Sequence, residues 1–208
     1  MSTNKITPAE YLKKQDRRLC RIIDFFGTSH FATEERKPFD ALSKAVISQQ
    51  LSNAASNSIT NRIISIHGKR PFNPNKFLSL EDEALRGCGI SYSKIKTIKG
   101  IAEACIRKEI SAKAFESLDD KQALQKLTSY WGIGNWTAEI FMMFFLKRLD
   151  ILPLGDAGLQ RAHALLYPNA KSLEITSEKW RPYRAVAAGY LWQFLDNPAC
   201  HLEVLKAK

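Results

Sequence analysis

The stretch Tyr130-Trp131-Gly132-Ile133-Gly134-Asn135-Trp136-Thr137-Ala138 constrains this chain more than any other. Glycine adopts backbone conformations that side chains forbid. Gly132 and Gly134, separated by one apolar residue, therefore allow a tight turn from one helix into the next, with Ile133 as its anchor in the core. Asn135 fits the N-cap of the following helix, and Glu139 lies close enough to favour its first turns. A helix start leaves several backbone N–H groups without helical partners, and such groups favour an anionic oxygen. An ordinary helix–turn–helix corner uses the same residues, so the pair of glycines alone leaves both readings open.

The rest of the chain reads as helices joined by short polar links. Pro8 suits the first turn of a helix running to about Phe26, with Leu12, Leu19, Ile22, Ile23 and Phe26 as its stripe. Met1 to Thr7 is a loose tail and Thr28 to Lys37 a polar connection. A second helical region opens at Pro38 and is interrupted by Ser48-Gln49-Gln50-Leu51-Ser52. Helices follow over Ala54 to His67, from about Leu80 to Gly87, over Ser91 to Lys108, and from Asp119 or Asp120 into the turn. Pro71 to Lys76 reads as a turn. The helix after Gly134 is expected to run to about Leu149 and to be the most buried, because Ile140 to Leu146 is apolar all round. A helix over Ala157 to Leu166 follows the acid Asp156. After a polar connection, Pro168 to Ser177, a last long helix covers Glu178 to Leu195. Leu202, Val204 and Leu205 are expected to dock the C-terminal tail. No stretch alternates in the manner of a strand, so the fold class is all-α.

Composition narrows the partner. Thirty-one Lys and Arg against 21 Asp and Glu give a net charge of +10, which raises the expectation of a polyanionic partner. Between Asn57 and Lys76 stand Arg62, Lys69, Arg70 and Lys76 with no acid, and between Ala84 and Ala102 stand Arg86, Lys94, Lys96 and Lys99, again with none. A solvated face is the alternative for each cluster. The longest apolar run is too short to span a membrane, and the N-terminus lacks the apolar core of a secretion signal. An intracellular place is expected, cytoplasmic or nucleoid in a bacterium and nuclear in a eukaryote. Cys20, Cys88, Cys105 and Cys200 have no C-x-x-C spacing and are expected as free thiols. The four histidines form no metal-binding pair.

The hairpin and Asp156 together resemble the helix-hairpin-helix DNA glycosylase superfamily. Val46-Ile47-Ser48-Gln49-Gln50-Leu51-Ser52, Leu85-Arg86 with Gly89-Ile90-Ser91-Tyr92-Ser93-Lys94, and Trp180-Arg181-Pro182-Tyr183-Arg184 with Gly189-Tyr190-Leu191-Trp192 are similar to its alkylpurine (3-methyladenine) branch. The resemblance covers roughly Pro38 to Phe194. It implies two helical lobes flanking an active-site cleft, one lobe spanning 38–155 with the hairpin and the other 1–37 with 156–208.

The resemblance also implies roles. Asp156 matches the catalytic aspartate, although read alone it is a cap for the helix beginning at Ala157. Trp136 stands where strand-cutting members carry a Schiff-base lysine. The implied enzyme is therefore a monofunctional DNA glycosylase that hydrolyses the N-glycosidic bond of alkylated purines in base excision repair. Trp136, Trp192, Tyr183 and Ile140 are the implied base pocket, with Trp180 and Tyr190 as further aromatic candidates; plain core is the alternative for each. Ile140 replaces a tyrosine of some members. Gln50 or Leu51 is the implied wedge that fills the gap left by a flipped nucleotide. Gly132, Gly134 and Asn135 are the implied phosphate contacts. Backbone carbonyls of Thr128, Tyr130 and Gly132 are the implied ligands of a structural Na+ or K+. No cofactor is required, and the scattered cysteines imply no iron–sulfur cluster. Trp131 takes the place of a proline common before the first hairpin glycine. The expected partner is double-stranded DNA with alkylated bases, bound by a monomer and away from any membrane. The alternatives are a non-catalytic DNA-binding protein on the same scaffold and a glycosylase for deaminated bases.

Overall fold

The computed structural model describes residues 6–27 and 37–206. Most of the expected N-terminal tail and of the connection Thr28 to Lys37 lies outside these residues, as does the side chain of Leu202. Among the described residues the regular elements are helices and there is no strand.

In chain order they are α1 (Pro8–Gln15), α2 (Arg17–Phe26), α3 (Pro38–Ser48), α4 (Asn53–His67), α5 (Pro74–Leu78), α6 (Asp82–Gly87) and α7 (Tyr92–Ile106). They continue as α8 (Ala112–Phe115), α9 (Asp120–Thr128), α10 (Asn135–Phe144), α11 (Ala157–Leu166) and α12 (Leu173–Ser177), then a 3-10 turn over Glu178–Trp180, α13 (Arg184–Asp196) and α14 (Pro198–Lys206). No helix among the described residues is long and apolar enough to cross a membrane.

The chain forms two compact units, Glu34–Lys147 and the pair of segments Met1–Thr33 and Arg148–Lys208. In the central unit α3 and α5 pack on α7, and α10 packs on α3 and α9. Its core holds Leu42, Val46, Ile63, Phe77, Leu85, Ile98, Phe115, Leu127 and Phe141. In the other unit α13 is the central helix. It packs on α2, α11 and α14, and Leu19, Ile22, Leu159, Leu191 and Phe194 fill the space around it.

Several expected boundaries are corrected. The first helix is two, because Asp16 leaves helical geometry and caps α2, accepting from the N–H groups of Arg18 (2.9 Å) and Leu19 (3.2 Å). Its second oxygen accepts from Tyr167 Oη (2.6 Å), Trp180 Nε1 (2.8 Å) and Lys179 Nζ (2.9 Å). The charge of a buried carboxylate is thereby satisfied. Thr7 is no loose residue: it makes a capping box with Glu10. The helix after the hairpin ends at Phe144, not Leu149. The last long helix begins at Arg184, since Pro182 lacks the N–H to continue one. Pro74–Leu78, Ala112–Phe115 and Leu173–Ser177 form short helices where links were expected. Beyond Pro198 the tail is a helix that buries Cys200 and Val204.

Candidate functional site

The hairpin lies in the central unit, between α9 and α10. Ile133 is buried and Gly132, Gly134, Asn135 and Trp131 are exposed. Gly132 has φ +79°, and a Cβ there would lie 2.0 Å from Thr97 Oγ1 on α7. Only glycine permits both the conformation and the approach. The N-cap of α10 is Gly134, not Asn135 as expected, and no side chain caps it. Asn135 is the first helical residue, so the outward N–H groups at this end are not covered by a capping oxygen.

A second turn is fixed to the first. Gln49, the C-cap of α3, donates its side-chain amide to Thr137 Oγ1 (2.8 Å) and to the Gly132 carbonyl (3.3 Å). Lys94 Nζ donates to the carbonyls of Ile47 and Gln49, each at 2.9 Å. With Gln49 turned inward, Gln50 adopts φ 58° and is exposed, and Leu51 beside it is 40% exposed. Gln50 and Leu51 therefore project just beyond a segment held at Ile47 and Gln49. The sequence singled out these two residues but not Gln49 or Lys94, whose inward bonds no local pattern signals.

On α10 the residues Thr137, Ala138, Phe141 and Met142 are buried, while Trp136, Glu139 and Ile140 are half-buried. Their spacing of three and four places these three on one face. Glu139 has no ion-pair partner among the described residues, and burial pushes its carboxyl up to about 7. Read from its position alone, Glu139 has only a helix-start role. Its unpaired burial shows only in three dimensions.

The other unit holds Asp156, the N-cap of α11, whose Oδ1 accepts from Leu159 N–H (2.7 Å) and from the indole N–H of Trp192 on α13 (3.1 Å). Gly158 makes room for this carboxylate, since a Cβ there would lie 3.0 Å from Asp156 Oδ1. The loop leading to Asp156 is tied to the start of α13. Arg184 Nε and Nη2 donate to Asp150 Oδ1 (2.9 Å) and to its carbonyl (2.7 Å), Arg181 Nη1 to Asp150 Oδ2 (2.6 Å), and Ala185 N–H to Leu149 O (2.9 Å).

The structure thus brings Trp192 to Asp156. It does not bring Tyr183 there: Tyr183 packs edge-on against Tyr11, with ring centroids 5.2 Å apart, and it precedes Trp192 by roughly 13 Å of helix axis. Trp180 and Tyr190 are fully buried, which removes them as pocket-wall candidates. Trp180 donates to Asp16 and Tyr190 to Gly27 O.

The basic clusters are also partly spent within the fold. Arg62 donates to Cys88 O, Arg70 pairs with Asp40, and Lys99 donates to Leu80 O. A depression of about 570 Å³ lined by His67, Gly68, Lys69, Pro71, Asn73, Asn75 and Lys76 contains none of the candidate site residues.

The turn at Gln49, the hairpin and Asp156 all fall within the reach of one family model. The model of the HhH-GPD superfamily of base excision DNA repair proteins matches residues 43–183. The chain belongs to this superfamily. HhH-GPD relatives resemble it over most of its length. DNA-3-methyladenine glycosylase 1 of Schizosaccharomyces pombe is 34% identical over 198 residues, covering 90% of this chain and 87% of the relative. The alkylbase DNA glycosidase-like protein mag2 of the same yeast is 33% identical over 168 residues, 76% of this chain and 78% of that one. Among solved structures, S. pombe 3-methyladenine DNA glycosylase Mag1 in complex with abasic DNA superposes with a TM-score of 0.81 at 32% identity, covering 92% of this chain and 97% of that one.

Proposed function

We propose that this HhH-GPD protein is a monofunctional DNA glycosylase that hydrolyses the N-glycosidic bond of alkylated purines, of the 3-methyladenine type, in base excision repair. The observation that carries the reading is Asp156, a carboxylate fixed by a helix N–H and an indole N–H at a helix start. The relatives named above support it.

As the bond between base and sugar breaks, the base leaves with the electron pair and positive charge builds on the sugar. A fixed anion stabilises that charge. Water then bonds to the sugar carbon and gives up a proton, which Asp156 is suited to accept. Trp136 offers no amine for a Schiff base, so the product is an abasic site with the strand uncut. An electron-rich indole face favours a cationic alkylpurine; Trp136 offers one on the same face of α10 as Ile140, and Trp192 offers one beside Asp156. Tyr183 stands edge-on to Tyr11 and is the remaining aromatic of the proposed pocket.

In this reading the α10 N-terminus, through Gly132, Gly134 and Asn135, holds a phosphate, and Gln50 or Leu51 fills the gap left by the flipped nucleotide. The partner is duplex DNA carrying alkylated bases, met by a monomer inside the cell. The Gly132 carbonyl already accepts from Gln49 and the Tyr130 carbonyl from Ile133 N–H. Each carbonyl oxygen keeps a second lone pair, so with Thr128 O they stay available to a structural Na+ or K+.

A lesion panel tests the reading. Purified protein should release 3-methyladenine and 7-methylguanine from methylated duplex. Release of hypoxanthine alone would replace it with a deaminated-base glycosylase.

A further inference from the structure

Trp131 is 55% exposed at the tip of the hairpin. It is followed by Gly132 and, past the buried Ile133, by Gly134 and Asn135, all exposed. The indole therefore stands on the same outward edge as the uncapped start of α10. Lys96, exposed on α7, holds its ammonium 4.5 Å from the centroid of the Trp131 ring. No ion pair engages Lys96 among the described residues, whereas Arg62, Arg70, Lys94 and Lys99 nearby in sequence are engaged by carbonyls or acids. The mount is rigid, because Gly132 sits directly on Thr97, one residue from Lys96.

We propose that Trp131 and Lys96 form a second DNA contact beside the hairpin, the indole packing on a deoxyribose of the strand that the hairpin holds and the ammonium meeting the adjacent phosphate. The proposal rests on the hairpin being a DNA grip, as argued above. A sugar presents an apolar C–H face next to an anion, and this pair presents an apolar ring next to a cation. The ring face is sequence-tolerant, as aromatic platforms for nucleic acid are, and the cation adds a salt-dependent share. A large apolar side chain left in water at a turn has no packing role to explain it. The cation–π contact keeps Lys96 close without discharging it.

The test is binding of the full chain to an undamaged duplex across a salt series, followed by anisotropy, with Trp131→Ala, Trp131→Phe and Lys96→Ala. Trp131→Ala is expected to weaken binding about 10-fold, in the range that aromatic contacts to nucleic acid contribute. Trp131→Phe should recover most of the loss. Lys96→Ala should lower the slope of log affinity against log salt by about 1. In protein labelled with 5-fluorotryptophan, the resonance that vanishes in Trp131→Phe should shift when duplex is added. Unchanged affinity in Trp131→Ala, with base excision by the wild type intact, would overturn this contact alone. So would a loss of melting temperature without a loss of affinity, or self-association of the wild type that Trp131→Ala abolishes. A wild type that binds no duplex would overturn the proposed function as well.

Discussion

The indole N–H of Trp192 donates to Asp156 Oδ1 at 3.1 Å, and the Leu159 N–H meets the same oxygen at 2.7 Å. One carboxylate oxygen is thereby fixed by α11 and α13 together. Trp192→Phe keeps the ring and removes the donor. A hydrogen bond to a charged group contributes about 1.5–3 kcal/mol, so single-turnover base release should fall about 10- to 100-fold. The melting temperature should fall by roughly 3–12 °C, because the same bond leaves the folded state.

Gly158 is a more severe test of the same geometry. Alanine suits a helix, and Gly158 has no left-handed backbone to lose. Its methyl would nevertheless stand 3.0 Å from Asp156 Oδ1. Gly158→Ala should fold with near-native stability and excise bases at least about 10-fold more slowly. Equal activity would show that the carboxylate position is not critical.

The two hairpin glycines should behave oppositely. Gly132→Ala meets Thr97 at 2.0 Å with φ +79°, and should cost about 2–4 kcal/mol in urea unfolding. Gly134→Ala meets nothing within 4 Å and should fold normally.

Two acids should give opposite pH dependences. Burial pushes the Asp16 carboxyl up, but hydrogen bonds from Tyr167, Trp180 and Lys179 outweigh it and hold the carboxyl below its ordinary value. Its contribution is present above the unfolded value of about 4 and is lost as pH falls through the folded value. Asp16→Asn should flatten that acid loss in a urea titration. Glu139 is the reverse, its folded carboxyl standing at about 7 through burial. Between its ordinary value and 7 the folded state holds a proton that the unfolded chain has released, so stability falls as pH rises through that window. Glu139→Gln should therefore gain about 1 kcal/mol on the wild type at pH 8, after discounting for its partial exposure, and little at pH 5.

Asp16 also shows where sequence reading stops. The apolar stripe of Leu12, Leu19, Ile22 and Ile23 continues past it, so the helix looked unbroken. The break comes from Tyr167 and Trp180, roughly 150 residues away in sequence, which no local pattern ties to Asp16. The same holds at the candidate site. Gly132, Gly134 and Asp156 were legible as a turn and a helix start because those are local signals, whereas the roles of Asp156 and Trp136 came from the resemblance. Gln49, Lys94, Glu139 and the bond from Trp192 to Asp156 were not legible, because their roles depend on which helices lie side by side. Trp180 and Tyr190 left pocket wall and core both open in sequence for a related reason: burial on α13 and beside it is set by α2 and α11, not by residue type.

In the proposed function Asp156 serves hydrolysis and not only the helix cap. Free base released from methylated duplex by the wild type and by Asp156→Asn tests it directly, with duplex binding and strand cleavage followed in the same samples. Asparagine can still cap α11. Release by the wild type without strand cleavage is expected, with loss of release in Asp156→Asn and binding retained. Release by Asp156→Asn at the wild-type rate, or no release by the wild type despite tight binding, would contradict that role.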